Sequence, residues 1–506
     1  MNKTIKTIKG TILSTSLLLL QMFFTFWRTK LIITIYGTDI NSIAQAANQI
    51  FAYLTLFESG VCAAYQYKMY SPYSQQCFKK LYSLYEGLCI TMKKIGFKML
   101  IFVFLVSLIY PILLASNSLP YIKSSFIFLL IGLRCALPYC LVVSKKNILI
   151  IEEKQYLVST IDTMINILII IVEIIMVKVL HLEIEFTLIA GCLIIVLSYY
   201  LYKIYVLRFW KSVLPLENKH YNISPSFEAN AMTKDILVHQ ICGLANSNID
   251  ILILSAVDVF SVTVYSNYNS IMNYPVNIIN GVIRNIRATI GLKFASNDAN
   301  TYSLFREMLS LNIWCSGIVT AVFATMINDF MKVWLGEKYV LSWISVGLFS
   351  LLLLRRMIVE VVYSVRDANG LYKESKLYTL FTAISNSILS IILVRYFGIN
   401  GLLLGTVISV YFIMDLGNNK LVFNKVFNKK MVIYRDILII IIISILSVVL
   451  FNIMLHNILV VNDWFSFVIK TFVVTIFSTL IMTVFNIIVD KYFIQLIKRF
   501  LKIFKY

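Results

Sequence analysis

Apolar residues recur along this chain in long, nearly unbroken runs, not in the alternation of a half-buried strand or the narrow stripe of a soluble amphipathic helix. A helix that crosses a bilayer needs about 20 predominantly apolar residues. Runs of that length predict spans at 10–35, 42–67, 96–116, 123–144, 157–179, 184–206, 234–256, 260–283, 307–329, 341–363, 377–396, 399–418, 436–457 and 464–488. The pattern therefore predicts an all-α integral membrane protein of about fourteen transmembrane helices joined by short loops.

Composition supports that reading. The 506 residues are 59% hydrophobic and 14% charged, with a mean hydropathy of +0.82, whereas soluble chains average about 45–50% apolar and about 25% charged. A secreted disulfide scaffold, a disordered tail protein and a cytosolic nucleic-acid binder are excluded. The net charge of +20 would suggest nucleic acid in a soluble protein. Here the basic residues sit in the gaps between apolar runs, so they report topology and no nucleic-acid partner is expected. With the N-terminus inside, the inner segments and their helix ends hold 34 of the 45 Lys and Arg residues, while the outer loops hold Lys123, Lys332 and Lys338. That asymmetry predicts both termini in the cytoplasm. Trp334, Trp343 and Trp464 fall near the outer interfaces, where indoles prefer to sit.

The eight cysteines lie mostly inside apolar runs without CxxC spacing and read as small apolar filler. The N-terminus imitates a signal peptide, with Lys3, Lys6 and Lys9 before the run Thr11–Trp27. The run continues past Arg28 and Lys30, and Ala44–Ala46 lies too far downstream for cleavage, so a retained first span is expected.

The chain carries an internal repeat. Leu157–Ile170 (LVSTIDTMINILII) resembles Leu377–Ser390 (LYTLFTAISNSILS), with Asn166 and Asn386 aligned at an offset of 220. Short polar turns near Tyr36 and Val257 join long spans at nearly the same offset. Six helices per copy is an even number, so the copies share orientation about an axis along the membrane normal, as in many transporters. The expected organisation is an N-terminal lobe at 1–208 (helices 1–6), a cytoplasmic linker at 209–232 with Pro215 and Pro225, and a C-terminal lobe at 233–430 (helices 7–12). Residues 431–506 add helices 13 and 14 and a basic tail. The lobes are expected to surround a central cavity.

Ionisable groups inside spans carry the functional signal, because each costs about 2.5–3.5 kcal/mol at a helix centre and is tolerated only facing a partner or an aqueous cavity. Arg28 lies two-thirds of the way across helix 1 with Lys30 beside it, within snorkelling reach of the outer interface. Arg134 is mid-helix 4, Glu58 deep in helix 2 and Asp250 in helix 7. Asp250 and Glu58 could couple transport to an ion, and Asp250 could equally serve as a structural partner for an arginine. Glu173 in helix 5 has no assignable partner and receives no role. Arg355 and Arg356 are expected to pair with Glu360, and Lys470 to be structural. On helix 8, Tyr265, Asn269, Asn273, Asn277, Asn280 and Arg284 recur at spacings of four and three, forming one helix face. Such a face lines either a watery cavity or a polar helix–helix seam. Helix 2 carries a weaker stripe of Gln45, Asn48, Thr55 and Glu58.

Catalytic signatures are missing from the sequence. There is no Gly-Lys dipeptide for a P-loop, no HExxH and no GxSxG, and the outer loops are too short to build a catalytic face. The chain is expected not to be an enzyme and to need no cofactor or metal.

Several segments are familiar in order. These are Leu54–Pro72 (LTLFESGVCAAYQYKMYSP), Tyr265-Ser266-Asn267-Tyr268, Ala288-Thr289-Ile290-Gly291 and Val333–Tyr339 (VWLGEKY). Arg366-Asp367-Ala368-Asn369-Gly370 and Tyr396–Gly401 (YFGING) with Gly405-Thr406 complete the set. In them the chain resembles the bacterial polysaccharide transporter family, the O-antigen and capsule repeat-unit flippases of the multidrug/oligosaccharidyl-lipid/polysaccharide exporter superfamily. Ser59 departs from the family's usual Leu. The resemblance spans most of the first twelve helices.

The resemblance implies fourteen helices in two lobes, residence in the bacterial cytoplasmic membrane, and transport of an undecaprenyl-diphosphate-linked oligosaccharide from the inner to the outer leaflet. It also implies membrane lipids and a polysaccharide polymerase as partners. By resemblance, Arg28, and less firmly Lys30, hold the diphosphate, with Arg284 and Arg287 at the inner end of helix 8. The substrate's chemistry fits, since diphosphate attracts arginine and sugars want the amides and hydroxyls of Asn269, Asn273, Asn277 and Tyr265, beside Arg134. The alternatives on the same fold are a lipid II flippase and a multidrug cation exporter. The second should have an acidic, aromatic cavity.

Overall fold

The computed structural model describes residues 3–58, 60–114, 119–152, 154–213, 234–295, 301–429 and 460–503, with the backbone alone in a few helical stretches, among them 281–295. The expected thirteenth span at 436–457 and residues 214–232 of the expected linker lie outside the described residues, as do the side chains of Arg284 and Arg287.

Among the described residues every regular element is helical. In order they are α1 (Lys3–Tyr36), α2 (Thr38–Phe51), α3 (Thr55–Glu58), α4 (Val61–Ser74), α5 (Phe78–Leu113), α6 (Tyr121–Leu141), α7 (Val143–Ile151), α8 (Gln155–Lys178) and α9 (Ile184–Val213). There follow α10 (Lys234–Ser255), α11 (Val259–Ala295), α12 (Thr301–Trp334), α13 (Trp343–Ala368), α14 (Tyr372–Ser409), α15 (Leu416–Lys425), α16 (Trp464–Val489) and α17 (Lys491–Ile503). Eight of the described helical segments are long and apolar enough to cross a membrane. Their outer faces expose Phe97, Ile112, Ile122, Phe472 and Ile488, an arrangement that suits lipid and not water. The chain is a multi-pass membrane protein.

By packing the chain divides into two compact units, Met1–Leu244 with Ile251–Thr263, and Ala245–Asp250 with Val264–Tyr506. In the first, α1 packs on α8, and α6 packs on α2, α5 and α9. Beyond the predicted spans, α5 begins at Phe78, eighteen residues before the expected start at 96. This extension packs Leu81, Leu84, Tyr85 and Leu88 against Tyr65 and Met69 of α4, Ile148 of α7 and Trp210 of α9, forming a core of its own. In the second unit, α12, α13 and α15 share a core of Phe305, Leu309, Ile358, Val362, Val422 and Phe423. The segment α16 docks on α12 through the Lys470–Asp329 ion pair at 2.7 Å and the bond from Trp314 Nε1 to Thr483 Oγ1 at 2.9 Å. Lys470, expected to be structural, thus has an acidic partner on a neighbouring helix.

One span is broken where the sequence reading made it continuous, and one predicted break is found in place. The second, expected as one helix over 42–67, is broken between Phe51 and Val61: a 3-10 turn at Ala52–Leu54 leads into the single turn of α3, and Gly60 adopts φ 73°. Glu58 therefore does not sit deep in a continuous helix. Its carboxylate accepts a hydrogen bond from the Cys62 backbone N–H at 3.3 Å and so caps the start of α4. The eleventh and twelfth spans form a helical hairpin. Gly398, at φ 53° and ψ −133°, takes a conformation open only to glycine and turns the chain back on itself. The returning helix lies so close that a Cβ on Gly401 would sit 2.1 Å from the Leu393 carbonyl oxygen, and one on Gly405 2.9 Å from the Ser390 nitrogen. Small residues permit this backbone approach between helices in lipid. Past Ser409 one π-helical stretch, Val410–Asp415, carries the chain into α15.

Candidate functional site

Arg28 and Arg134 stand on α1 and α6, far apart in sequence and each without an acidic neighbour on its own helix. In the structure one carboxylate serves both. Glu173 of α8 pairs through Oε2 with Arg28 Nε and through Oε1 with Arg134 Nη1, the latter at 2.6 Å. Glu173 is only 2% exposed, whereas the arginine side chains keep 23% and 25%. Helix α9 closes over the group at Gly191, where a Cβ would stand 3.6 Å from Arg134 Nη1 and 3.7 Å from Glu173 Oε1. The acid is therefore sealed among four helices, and both bases reach past it to the wall of a cavity.

That cavity holds about 390 Å³ and lies within the first unit, walled by α1, α2 and α6 to α9. Besides Arg28 and Arg134 its lining includes Lys146, Asp162 and the uncharged polar side chains of Asn41, Gln45, Asn48, Asn166 and Ser198. Lys146 Nζ bonds Asp162 Oδ2 at 2.7 Å, and Tyr202 donates to Asp162 Oδ1 at 2.8 Å. Just beyond, Lys154 repeats the arrangement with Glu152 and Tyr205. Burial pulls the Lys154 ammonium down, but those two hydrogen bonds more than offset it and hold it above its ordinary range. Around the cavity itself, three cations face two carboxylates. One positive charge is left over in a membrane-embedded wall, where uncompensated charge is expensive. The chemistry this favours is capture of an anion by guanidinium forks, with amides available for hydroxyl-bearing groups.

Lys30, two residues beyond Arg28, is not among the residues lining this cavity. Glu58 is engaged at the α4 cap described above. The polar face of α11 belongs to the second unit and is knit into a seam there. Arg356 Nη1 donates to Asn273 Oδ1 at 2.6 Å and to Asn269 Oδ1 at 3.4 Å, and Asn280 Nδ2 donates to the Arg356 carbonyl at 3.2 Å. Asn277 is exposed. The sequence suggested Glu360 for Arg355 and Arg356. The bonds found run from Arg356 to the asparagines and from Arg355 to Asp415, which accepts from Nε at 2.7 Å and Nη2 at 2.8 Å and from Tyr363 at 2.8 Å.

A second polar centre lies on Asp250. Its carboxylate, 3% exposed, accepts from the Tyr265 hydroxyl at 2.8 Å and from Thr406 at 3.2 Å. Thr406 also contacts Asn386 Oδ1 and the Leu402 carbonyl, both at 3.1 Å, and Ser390 reaches Asn386 Oδ1 at 3.1 Å. Carboxylate, amide, carbonyl and hydroxyl oxygens thus converge from α10, α11 and both arms of the glycine hairpin. These are hard ligands that suit a small hard cation. Of the two asparagines aligned in the sequence, Asn166 lines the cavity of the first unit and Asn386 sits in this cluster of the second.

Sequence reasoning missed Glu173, Lys146 and Asp162. Glu173 was findable in principle, since two intramembrane arginines in the first half demand an acid, and Glu173 is one of the few within its spans.

No family model matches the chain, and no curated protein matches it in sequence. Among solved structures it is similar to the lipid II flippase MurJ in an inward closed conformation, with a TM-score of 0.67, 16% identity, and coverage of 94% of this chain and 99% of that one. It is also similar to a multidrug resistance MATE transporter of the MOP superfamily in an inward-facing conformation, with a TM-score of 0.60, 12% identity, and coverage of 80% and 96%. The chain therefore has the fold of these membrane transporters.

Proposed function

We propose that this protein is a flippase that moves an undecaprenyl-diphosphate-linked oligosaccharide, a repeat unit of O-antigen, capsule or exopolysaccharide, from the inner to the outer leaflet of the bacterial cytoplasmic membrane. The observation that carries the reading is the cation surplus of the Arg28–Arg134 cavity together with its amide lining. Arg28 and Arg134 take the diphosphate as paired forks, while Asn41, Gln45, Asn48 and Asn166 meet the first sugars. The prenyl tail remains in lipid, and the two lobes rock in alternating access with both termini in the cytoplasm. The chain performs no covalent chemistry, and the product passes to a polysaccharide polymerase. On this reading the α11 residues Tyr265, Asn269, Asn273 and Asn277, with Arg284, serve the sugar chain further along its path, and Lys30 adds charge at the outer end of α1.

Asp250 is the candidate for energy coupling, better placed than Glu58 because its oxygen cluster gathers three helices. A monovalent cation such as Na+ would be held by Asp250, Asn386 and Thr406, and its binding would bias the hairpin against α10.

The likeness to the lipid II flippase supports a second reading, lipid II itself, which shares the diphosphate and differs in the sugars. Cation export is disfavoured by the basic cavity. The test is leaflet-resolved labelling of lipid-linked glycan in cells with the wild type, the deletion and Arg28→Ala. Full-length repeat units trapped on the cytoplasmic side in the last two support the proposal. Normal delivery in the deletion, with no redundant flippase, rejects it. Failure to label lipid II instead selects the second reading.

A further inference from the structure

We propose that Glu173 is the positioning and release residue of the anion site: a buried competitor that holds Arg28 and Arg134 in register and limits how tightly they grip a diphosphate. The inference rests on the reading of those arginines as the diphosphate contacts.

Two guanidiniums brought together in a low-dielectric wall repel each other, and without a carboxylate they would separate or lose their helix contacts. Glu173 removes that repulsion with an ion pair to each, and the three residues come from three different helices, α1, α6 and α8. It faces Nε of Arg28 and bonds one Nη of Arg134. A guanidinium has five N–H donors, so each arginine retains others for a ligand. The carboxylate is 2% exposed while its partners keep about a quarter of their surface, so a ligand meets the bases without meeting the acid. The acid still acts at short range. An anion bound to both forks lies near a fixed negative charge in a poorly screened site, and its affinity is lowered accordingly.

A carrier benefits from that penalty. A site must bind well enough to load and weakly enough to unload, and a multiply charged anion on two bare arginines would be held too tightly to leave. The buried position beside Gly191 of α9 fits this role: the acid is held out of the cavity by its two partners, and its charge biases the occupied site.

The test uses the purified full-length protein with farnesyl diphosphate as probe, together with flipping of a fluorescent lipid-linked diphosphate oligosaccharide in proteoliposomes. Glu173→Gln keeps the shape and removes the charge. It is expected to bind farnesyl diphosphate about tenfold more tightly, equivalent to about 1.4 kcal/mol, and to flip about tenfold more slowly at saturating substrate. A purely structural role would lower thermal stability and leave affinity unchanged or weaker, and either affinity result in a folded Glu173→Gln overturns the proposal. If that variant does not fold, the double variant Arg134→Gln with Glu173→Gln, which keeps the net charge of the wild type, is measured instead. Its remaining Arg28 should bind the probe within about threefold of the wild type, and a larger loss overturns the proposal. If the wild type takes up no farnesyl diphosphate, or Arg28→Ala binds it equally well, the diphosphate reading itself falls, an outcome distinct from an indifferent Glu173.

Discussion

Arg134 Nη1 lies 2.6 Å from Glu173 Oε1, and the other oxygen of the same buried carboxylate is taken by Arg28. One acid therefore sets the positions of two bases on helices separated by about a hundred residues of chain. The bond explains how the first unit tolerates both arginines in a membrane-embedded wall, and why the cavity remains positive by a single charge.

Substituting the bases should weaken diphosphate binding. Arg28→Ala removes a charge-assisted bond worth roughly 1.5–3 kcal/mol, so the apparent affinity for a lipid-linked diphosphate should fall by about 10–100-fold. Arg28→Lys keeps the charge and loses the planar fork, and should recover only part of it. Concentration dependence of flipping in proteoliposomes reads both.

Removing the carboxylate outright should destabilise the fold. Glu173→Ala leaves two arginines uncompensated, and breaking a buried pair costs about 3–5 kcal/mol. The loss should lie at the low end, because both arginines retain access to the cavity. Thermal unfolding in detergent measures it, and removing Arg134 at the same time should restore much of the loss.

The Asp250 cluster predicts a stabilising cation. Replacing choline chloride with NaCl should raise the unfolding temperature of the wild type, with about 2.7 kcal/mol gained at a hundredfold excess over Kd. Asp250→Asn should abolish the difference and slow flipping, while Glu58→Gln should leave the salt effect intact.

The hairpin predicts a steric requirement. In Gly401→Ala the new methyl would meet the Leu393 carbonyl at 2.1 Å. Overpacking costs about 1–3 kcal/mol, and a clash with backbone belongs at the upper end. Gly347→Ala on α13, whose Cβ would meet nothing within 4 Å, is the matched control and should leave stability unchanged.

The all-helical, membrane-spanning character of the chain was legible because apolar run length is a strong, local signal. The break at Ala52–Gly60 was not, since Thr55 and Glu58 continue the polar stripe of Gln45 and Asn48 at helical spacing whether or not the backbone stays helical. Arg28 and Arg134 were legible by the cost of intramembrane charge. Glu173 was given no role by the same reasoning, because its partners come from α1 and α6, and no sequence period links residues on different helices. Asp162 was hidden differently. It lies near the start of α8, where a polar residue looks like a span boundary, and only Lys146 and Tyr202 make it part of the cavity. Of the asparagines expected on one face of α11, Asn269, Asn273 and Asn280 meet Arg356, and Asn277 is exposed. Which neighbour that face met depended on Arg356, to which the sequence assigned another partner.

The most direct test of the central claim is translocation by purified protein in proteoliposomes of a diphosphate-linked oligosaccharide, beside export of an organic cation, for the wild type, Arg28→Ala and Arg134→Ala. The account predicts that the wild type flips the diphosphate lipid, that both variants lose at least tenfold in apparent affinity, and that none of the three moves the cation. Cation export by the wild type, with the diphosphate lipid left in its original leaflet, would contradict it.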